Sequence, residues 1–283
     1  MGHLYFSPSH PSALALSTQF IIVSYIRLAA DYLLYRLRAI KLHGVHSPFV
    51  FDLFNHVIHH TGDYLAYHNV ESLRDKLLQD NRQLSLTDLG AGSRSIKSKT
   101  RKVKDIAATS AKPAKYGQLL FRLANYFQPQ TILELGTSLG LSTSYLAAAR
   151  QNAQVYTFEG CPNIAQVARE NFKQLGLTNI RLVEGNLDDT LAPTLAKLEQ
   201  LDFAFLDGNH RYEPTMRYFE ACLTKCHEGS VLVVDDIYWS SGMKRAWAEI
   251  KRHPHVRQTV DLYFVGLVFF RQQQPKEHFT LAF

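Results

Sequence analysis

The sequence is short of cysteine: Cys161, Cys222 and Cys226 are the whole set in 283 residues. A small, odd number without regular spacing excludes a disulfide scaffold and suits a reducing compartment, so the expected location is cytoplasmic. Cys222 and Cys226 stand four apart, which predicts a shared helix face and core packing, with metal binding as the alternative. Long uninterrupted hydrophobic runs are missing too. The most apolar N-terminal stretch, STQFIIVSYIRLAADYLLYRLRAI, is broken by Arg27 and Asp31 and carries Arg36 and Arg38. A membrane span needs about 20 apolar residues, and a signal peptide places its basic residues first. The stretch reads instead as an amphipathic helix that packs on the protein or a partner, with membrane-surface contact as the minor option. Both glycine signatures for a pyrophosphate, G-x-G-x-x-G and G-x-x-x-x-G-K-[ST], are absent.

What is present is material for a core, with 46% hydrophobic and 12% aromatic residues. That suits one large α/β domain with an appendage, or two small domains. Net charge is +6. The excess gathers in one run, where Arg94, Lys97, Lys99, Arg101, Lys102, Lys104, Lys112 and Lys115 face the single Asp105. Such a run is either a solvated connector or an attractor of an anionic substrate, nucleic acid or a membrane surface. Upstream, His56, His59 and His60 fall three and four apart, a spacing that puts ring nitrogens on one helix face, but no Cys or carboxylate cluster completes a metal site.

The rhythm of the chain changes at Thr131. From Ser17 to about Gln79 it is helical, punctuated by Gly44 and Pro48. After Thr131 come the apolar runs TILELG, VYTFEG, IRLVEG, LDFAFLDG and VLVVDD, separated by segments of helical periodicity. Near-continuous apolar strands alternating with amphipathic helices predict an α/β fold with a doubly wound, mostly parallel, seven-stranded sheet. RQTVDLYF and VGLVFFR, nearly abutting, predict a C-terminal antiparallel hairpin. The expected organisation is a helical N-terminal extension or cap over 1–80, a basic connector or lid over 81–115 and a Rossmann-type domain over 116–283.

Two glycine stretches compete for a nucleotide. LTDLGAGSRS, from Leu86 to Ser95, is followed by the basic run and reads as a turn leading into a mobile lid. TILELGTSLGLSTSYLAAA places a strand, then Gly136 and Gly140, then a helix, and ligands of open α/β sheets sit at such strand ends. Glycine lets backbone approach a ligand closely. Glu159 ends the next strand 23 residues after Gly136, close to the roughly 20 expected for a ribose-binding carboxylate. A G-x-x-x-G spacing suits ribose and adenine without pyrophosphate, which makes S-adenosylmethionine (SAM) the candidate cofactor.

AKYGQLLFRL, ILELGTSLGLS, TFEG, EGNLDD, LDFAFLDGNHRYEPT and GSVLVVDDIYWS together resemble, in order, the motifs of the Rossmann-type (class I) SAM-dependent methyltransferases, within them the catechol and caffeoyl-CoA O-methyltransferase branch. The likeness runs from about Lys112 to Arg271, and the whole chain also resembles an uncharacterised bacterial group of such enzymes. The resemblance implies SAM held at Glu134, Gly136, Thr137, Ser138, Gly140, Ser142, Glu159, Asn186 and Asp207, with Asp188 near the adenine. Glu134 is either a brace for the loop or a partner for the cofactor's amino group. The branch also implies a divalent cation, Mg²⁺ or another oxygen-preferring ion, on Asp207, Asp235 and Asp236, the last standing where the branch has Asn. A metal-free role bordering the cofactor is the alternative for the aspartates.

The branch's general-base lysine has no counterpart in DGNHRY. His210 is the substitute, since imidazole changes charge near neutral pH, or else a loop residue fixing a turn. Catalysis is therefore expected from His210 and Asp207, with Tyr238 and Trp239 lining an acceptor pocket or belonging to the core. The expected activity is O-methylation of a small molecule. The alternatives are an RNA or protein methyltransferase that uses the basic run, and a non-catalytic SAM-binding or assembly protein. A homodimer is also an expectation.

Overall fold

The structure, a computed structural model, describes residues 27–39, 46–86, 100–110 and 112–283. The glycine stretch beyond Leu86, and Arg94, Lys97 and Lys99 of the basic run, lie outside the described residues. The chain divides into two compact units, 1–39 and 40–283. In the first, a helix (α1) covers 27–38 and Arg27 lies 3.9 Å from Asp31 one turn on. Among the described residues no helix is long and apolar enough to cross a membrane.

The second unit opens with α2 (Pro48–Leu53), capped by the Ser47 hydroxyl and running into a π-turn at Phe54–Ile58, and continues with α3 (Leu65–Gln79). Two short antiparallel strands follow, β1 (Gln83–Ser85) and β2 (Thr100–Lys102), then α4 (Val103–Ser110). The described part of the basic segment is thus folded, because Val103, Ile106 and Ala107 give α4 an apolar face that is buried.

The remainder alternates as its pattern predicts. The order is α5 (Ala114–Phe127), β3 (Thr131–Leu135), α6 (Leu141–Ala149), β4 (Gln154–Glu159), α7 (Pro162–Gln174), β5 (Ile180–Glu184), α8 (Leu187–Leu195), β6 (Leu201–Leu206), α9 (Tyr212–Leu223), β7 (Cys226–Asp235) and α10 (Ser241–Arg252). Strands β8 (Gln258–Asp261), β9 (Val265–Phe269) and β10 (Glu277–Thr280) end the chain. The sheet order is β10-β8-β9-β7-β6-β3-β4-β5. Strands β3 to β7 are mutually parallel, while β9 runs antiparallel to β7 and to β8.

Among the described residues this sheet has eight strands rather than seven. The extra one, β10, adds parallel to β8 at the edge and buries Phe279. Cys226 also departs from expectation. Helix α9 stops at Leu223 and Cys226 opens β7, so the two cysteines share a turn rather than a helix face, with Cys226 Sγ 3.3 Å from the Cys222 carbonyl.

Side chains alternate across the sheet as a twofold strand period demands. Phe203, Phe205, Val231 and Val233 join Phe49, Leu123 and Leu146 on one face, while Ala204, Leu206, Leu232 and Val234 join Phe219, Trp247 and Ile250 on the other. Strand β3 has β4 on one side and β6 on the other, so the chain reverses its winding direction there. A crevice opens at the carboxyl ends of strands at such a switch point.

Candidate active site

Backbone geometry shapes the crevice first. Beyond β3 the chain turns at Gly136, φ 104°. A Cβ there would sit 2.5 Å from the Asp207 carbonyl oxygen, and the Asp207 N–H donates to Leu135 O at 3.1 Å. Gly140, φ 81°, starts α6, and a Cβ on it would strike the Phe172 ring at 2.4 Å. Both glycines are thus demanded by the chain's own packing. Between them Thr137 N–H donates to Phe158 O and Ser138, φ 48°, donates to Glu159 Oε2, each at 2.9 Å. The resulting cleft, about 450 Å³ including its open mouth, is lined by Lys112, Gly136, Thr137, Ser138, Ser142 and Asp207 among others.

Two carboxylates brace the loop. Glu159 accepts from Ser138 through Oε2 and from the Cys161 N–H through Oε1, both at 2.9 Å. Burial raises its pKa, and these backbone bonds pull it back. Each carboxylate oxygen has a second lone pair, so the bracing leaves acceptor capacity for ribose hydroxyls. Glu134 is fully buried on β3, its Oε2 accepting from Thr157 at 2.7 Å and from Thr143. Burial pushes its pKa up to about 7 against the pull of the neighbouring hydroxyls of Ser142, Thr143 and Thr157. Its Oε1 has no hydrogen-bond partner among the described residues. A buried orphan acceptor beside an open cleft fits the ammonium of an amino-acid-bearing cofactor.

Asn186 lies at the end of β5 as the N-cap of α8, its Oδ1 accepting the Asp188 N–H at 3.1 Å. Asp188 is occupied by Arg217 at 2.6 Å and the Tyr218 hydroxyl at 2.8 Å.

Four further groups meet at the ends of β6 and β7. Ligand atoms of Asp207, His210 and Asp235 lie within 4.8 Å of one another. His210 Nε2 is 3.4 Å from Asp207 Oδ1, and its Nδ1 is 3.9 Å from Asp236 Oδ2. Asp236 adopts φ 51°, a conformation that costs strain in a non-glycine residue. Into this acidic pocket reaches Lys112, whose Nζ pairs with Asp235 Oδ2 and with Asp236 Oδ1, the latter at 3.1 Å. Burial opposes the lysine's charge, yet Asp235, Asp207 and Asp236 outweigh it and hold the ammonium's pKa above its ordinary value. Burial pushes Asp207 up to about 6, against the pull of Lys112. Burial raises Asp235 well above its usual range, and the like charge of Asp207 raises it further.

The metal implied by the resemblance does not fit these residues as they stand. A divalent ion on Asp207 and Asp235 would share Asp235 with an ammonium already in place. Charges of +2 and +1 about 4 Å apart repel by on the order of 8 kcal/mol at an effective dielectric of about 20. Asp236, expected as a third ligand, is instead turned to Lys112 and His210.

Residues 133–237 match a family model described as a methyltransferase domain. The chain is 35% identical over 132 residues to a catechol O-methyltransferase of Mycobacterium tuberculosis, covering 46% of this chain and 58% of that protein. It is 32% identical over 124 residues to a catechol O-methyltransferase of Niastella koreensis, covering 43% and 55%. It therefore spans little more than half the length of these curated relatives. An SAH-bound methyltransferase of Podospora anserina shares the fold with a TM-score of 0.56, at 16% identity, over 75% of this chain and 91% of that one. An O-methyltransferase of Bacillus cereus in complex with SAH gives 0.53 at 21% identity, over 74% and 92%. Residues 133–237 thus match a methyltransferase domain, on a fold shared with these solved methyltransferases.

The remaining candidates separate. Tyr238 donates to Asp261 Oδ2 at 2.8 Å and stacks on Tyr263, its centroid 5.1 Å away. Trp239, just beyond, is exposed. The histidines of NHVIHH have separate partners: His56 lies 2.8 Å from Asp52, His59 stacks on Phe54 and faces the Ala282 carbonyl, and His60 meets the Tyr64 hydroxyl. They form no metal cluster among the described residues. Lys112 is the site residue that sequence reasoning missed, having been counted only in the basic run. Its place immediately before the helix AKYGQLL, which leads into the cofactor loop, was the available signal.

Proposed function

We propose that the protein is a SAM-dependent O-methyltransferase acting on a small molecule. The observation that carries this reading is the bond from the Ser138 N–H to Glu159 Oε2, which sets a carboxylate against the turn after β3. Gly136, Thr137, Ser138, Gly140 and Ser142 would border the cofactor, Glu159 its ribose, Glu134 Oε1 its ammonium, and Asn186 the adenine side. Bound there, SAM supplies an electrophilic methyl group on a sulfonium sulfur. His210 accepts the proton of an acceptor hydroxyl, and Asp207 beside it offsets the imidazolium charge that results. The loop after β6 carries both groups, and Asp207 lines the cleft, which supports an acceptor that is positioned rather than recruited from solution.

A small acceptor is favoured over a polymer because three residues of the basic run, Arg101, Lys112 and Lys115, are engaged within the protein. Arg101 donates to the Asp105 carbonyl and the Thr109 hydroxyl, Lys115 lies over the rings of Tyr116 and Phe283, and Lys112 is ion-paired. Calorimetric titration with SAM and with S-adenosylhomocysteine tests the proposal. One-to-one binding that persists in a chelator and is weakened in Glu159→Ala is the expected result. No heat from either ligand at millimolar concentration would remove the cofactor and with it the activity.

A further inference from the structure

The Lys112 side chain is 22% exposed, and it reaches across the fold from the segment ahead of α5 to the ends of β7. Its ammonium has three N–H donors. One donates to Asp236 Oδ1 at 3.1 Å and the charge pairs with Asp235 Oδ2, while Lys112 also lines the cleft beside Gly136 and Asp207. Asp235 is fully buried and neither of its oxygens has a hydrogen-bond partner among the described residues, Lys112 meeting Oδ2 as an ion pair. Without a cation, two or three carboxylates in this space would be left facing one another with little solvent between them, which is costly. The pocket is therefore built for positive charge, and the chain itself delivers it.

We propose that the Lys112 ammonium is the resident cation of the acceptor site, standing where a divalent metal would otherwise be held, so that the protein binds no such metal there. The inference rests on the methyltransferase reading for its meaning, but not for its test, which needs neither SAM nor an acceptor. A lysine has functional consequences different from those of a metal. An ammonium offers one oxygen of an acceptor a hydrogen bond and a charge, whereas a metal can chelate two adjacent oxygens. The acceptor class this site suits is a molecule with a single acidic oxygen, such as a phenol or a carboxylate, rather than one that must present a vicinal diol.

The experiment is titration of the full-length protein with Mn²⁺, followed by electron paramagnetic resonance of the free ion, in wild type, Lys112→Ala and Lys112→Met. Wild type is expected to bind no stoichiometric Mn²⁺ up to about 1 mM, the weak end of carboxylate sites. The variants, which empty the pocket of its own cation, are expected to bind one ion roughly tenfold or more tightly than that limit. Stoichiometric, tight binding by wild type overturns the proposal. So does the failure of both folded variants to bind, because the pocket would then not be a cation slot. Circular dichroism identifies a variant that has not folded, and the wild-type measurement decides in that event. SAM binding, measured separately on the same protein, fails or holds independently of these outcomes.

Discussion

Glu159 Oε2 accepts the backbone N–H of Ser138 at 2.9 Å, tying the end of β4 to the turn after β3. One carboxylate therefore shapes the loop, and under the proposed function it is also the partner of the ribose hydroxyls. Its loss removes a charge-assisted bond of about 1.5–3 kcal/mol. Glu159→Ala is expected to weaken SAM binding by roughly 10- to 100-fold, read by calorimetry. Glu159→Gln, which keeps the acceptor oxygen, is expected to lose less. Equal affinities in all three proteins would refute the assignment.

Gly136 closes on the Asp207 carbonyl too tightly for any side chain. Gly136→Ala combines that overlap with a positive φ, and the expected cost is about 1–3 kcal/mol. Urea denaturation measures it. A variant within about 0.5 kcal/mol of wild type would mean that the two loops are free to part.

Glu134 ties stability to pH. Its pKa is about 7 in the fold against an ordinary 4.5, so the folded state holds this proton more tightly than the unfolded state. Below pH 4.5 both states are protonated and no penalty arises. Between there and pH 7 stability falls, and above pH 7 the full cost, on the order of 3 kcal/mol, is present. Thermal melts of the cofactor-free protein from pH 5 to 8.5 are expected to show this decline, with a flatter curve for Glu134→Gln. Parallel curves would show that another group carries the dependence.

Tyr145, on α6, donates to Glu71 Oε1 of α3 at 2.6 Å, and Glu71 Oε2 accepts from Arg74 at 2.8 Å. This joins α6, the helix after the Gly136 turn, to α3. Tyr145→Phe leaves one Glu71 oxygen without that donor and is expected to cost about 1–3 kcal/mol in chemical denaturation. A neutral substitution would show that solvent replaces the hydroxyl.

The alternation of strands and helices after Thr131 was readable because both faces of a central parallel strand are buried and must be apolar, while a helix there buries only a stripe. That logic located β3 to β7, the terminal hairpin and the turn carrying Gly136. It did not reach β10, which is only four residues long, intermediate or exposed at three of them, and pairs at the sheet edge. Nor did it reach the end of α9, where Cys222 and Cys226 part company.

Residue order alone thus determined the fold and which strand ends carry Glu134, Glu159, Asp207 and Asp235, since periodicity and strand-end position are local properties of the chain. What fills the space between those ends was decided by the tertiary structure. Lys112 meets Asp236 across 124 residues of sequence, and no local pattern tells a lysine in a basic run from one drawn into an acidic pocket. Long-range packing brings the segment before α5 over the ends of β6 and β7, and opposite charges at low solvent exposure hold it there.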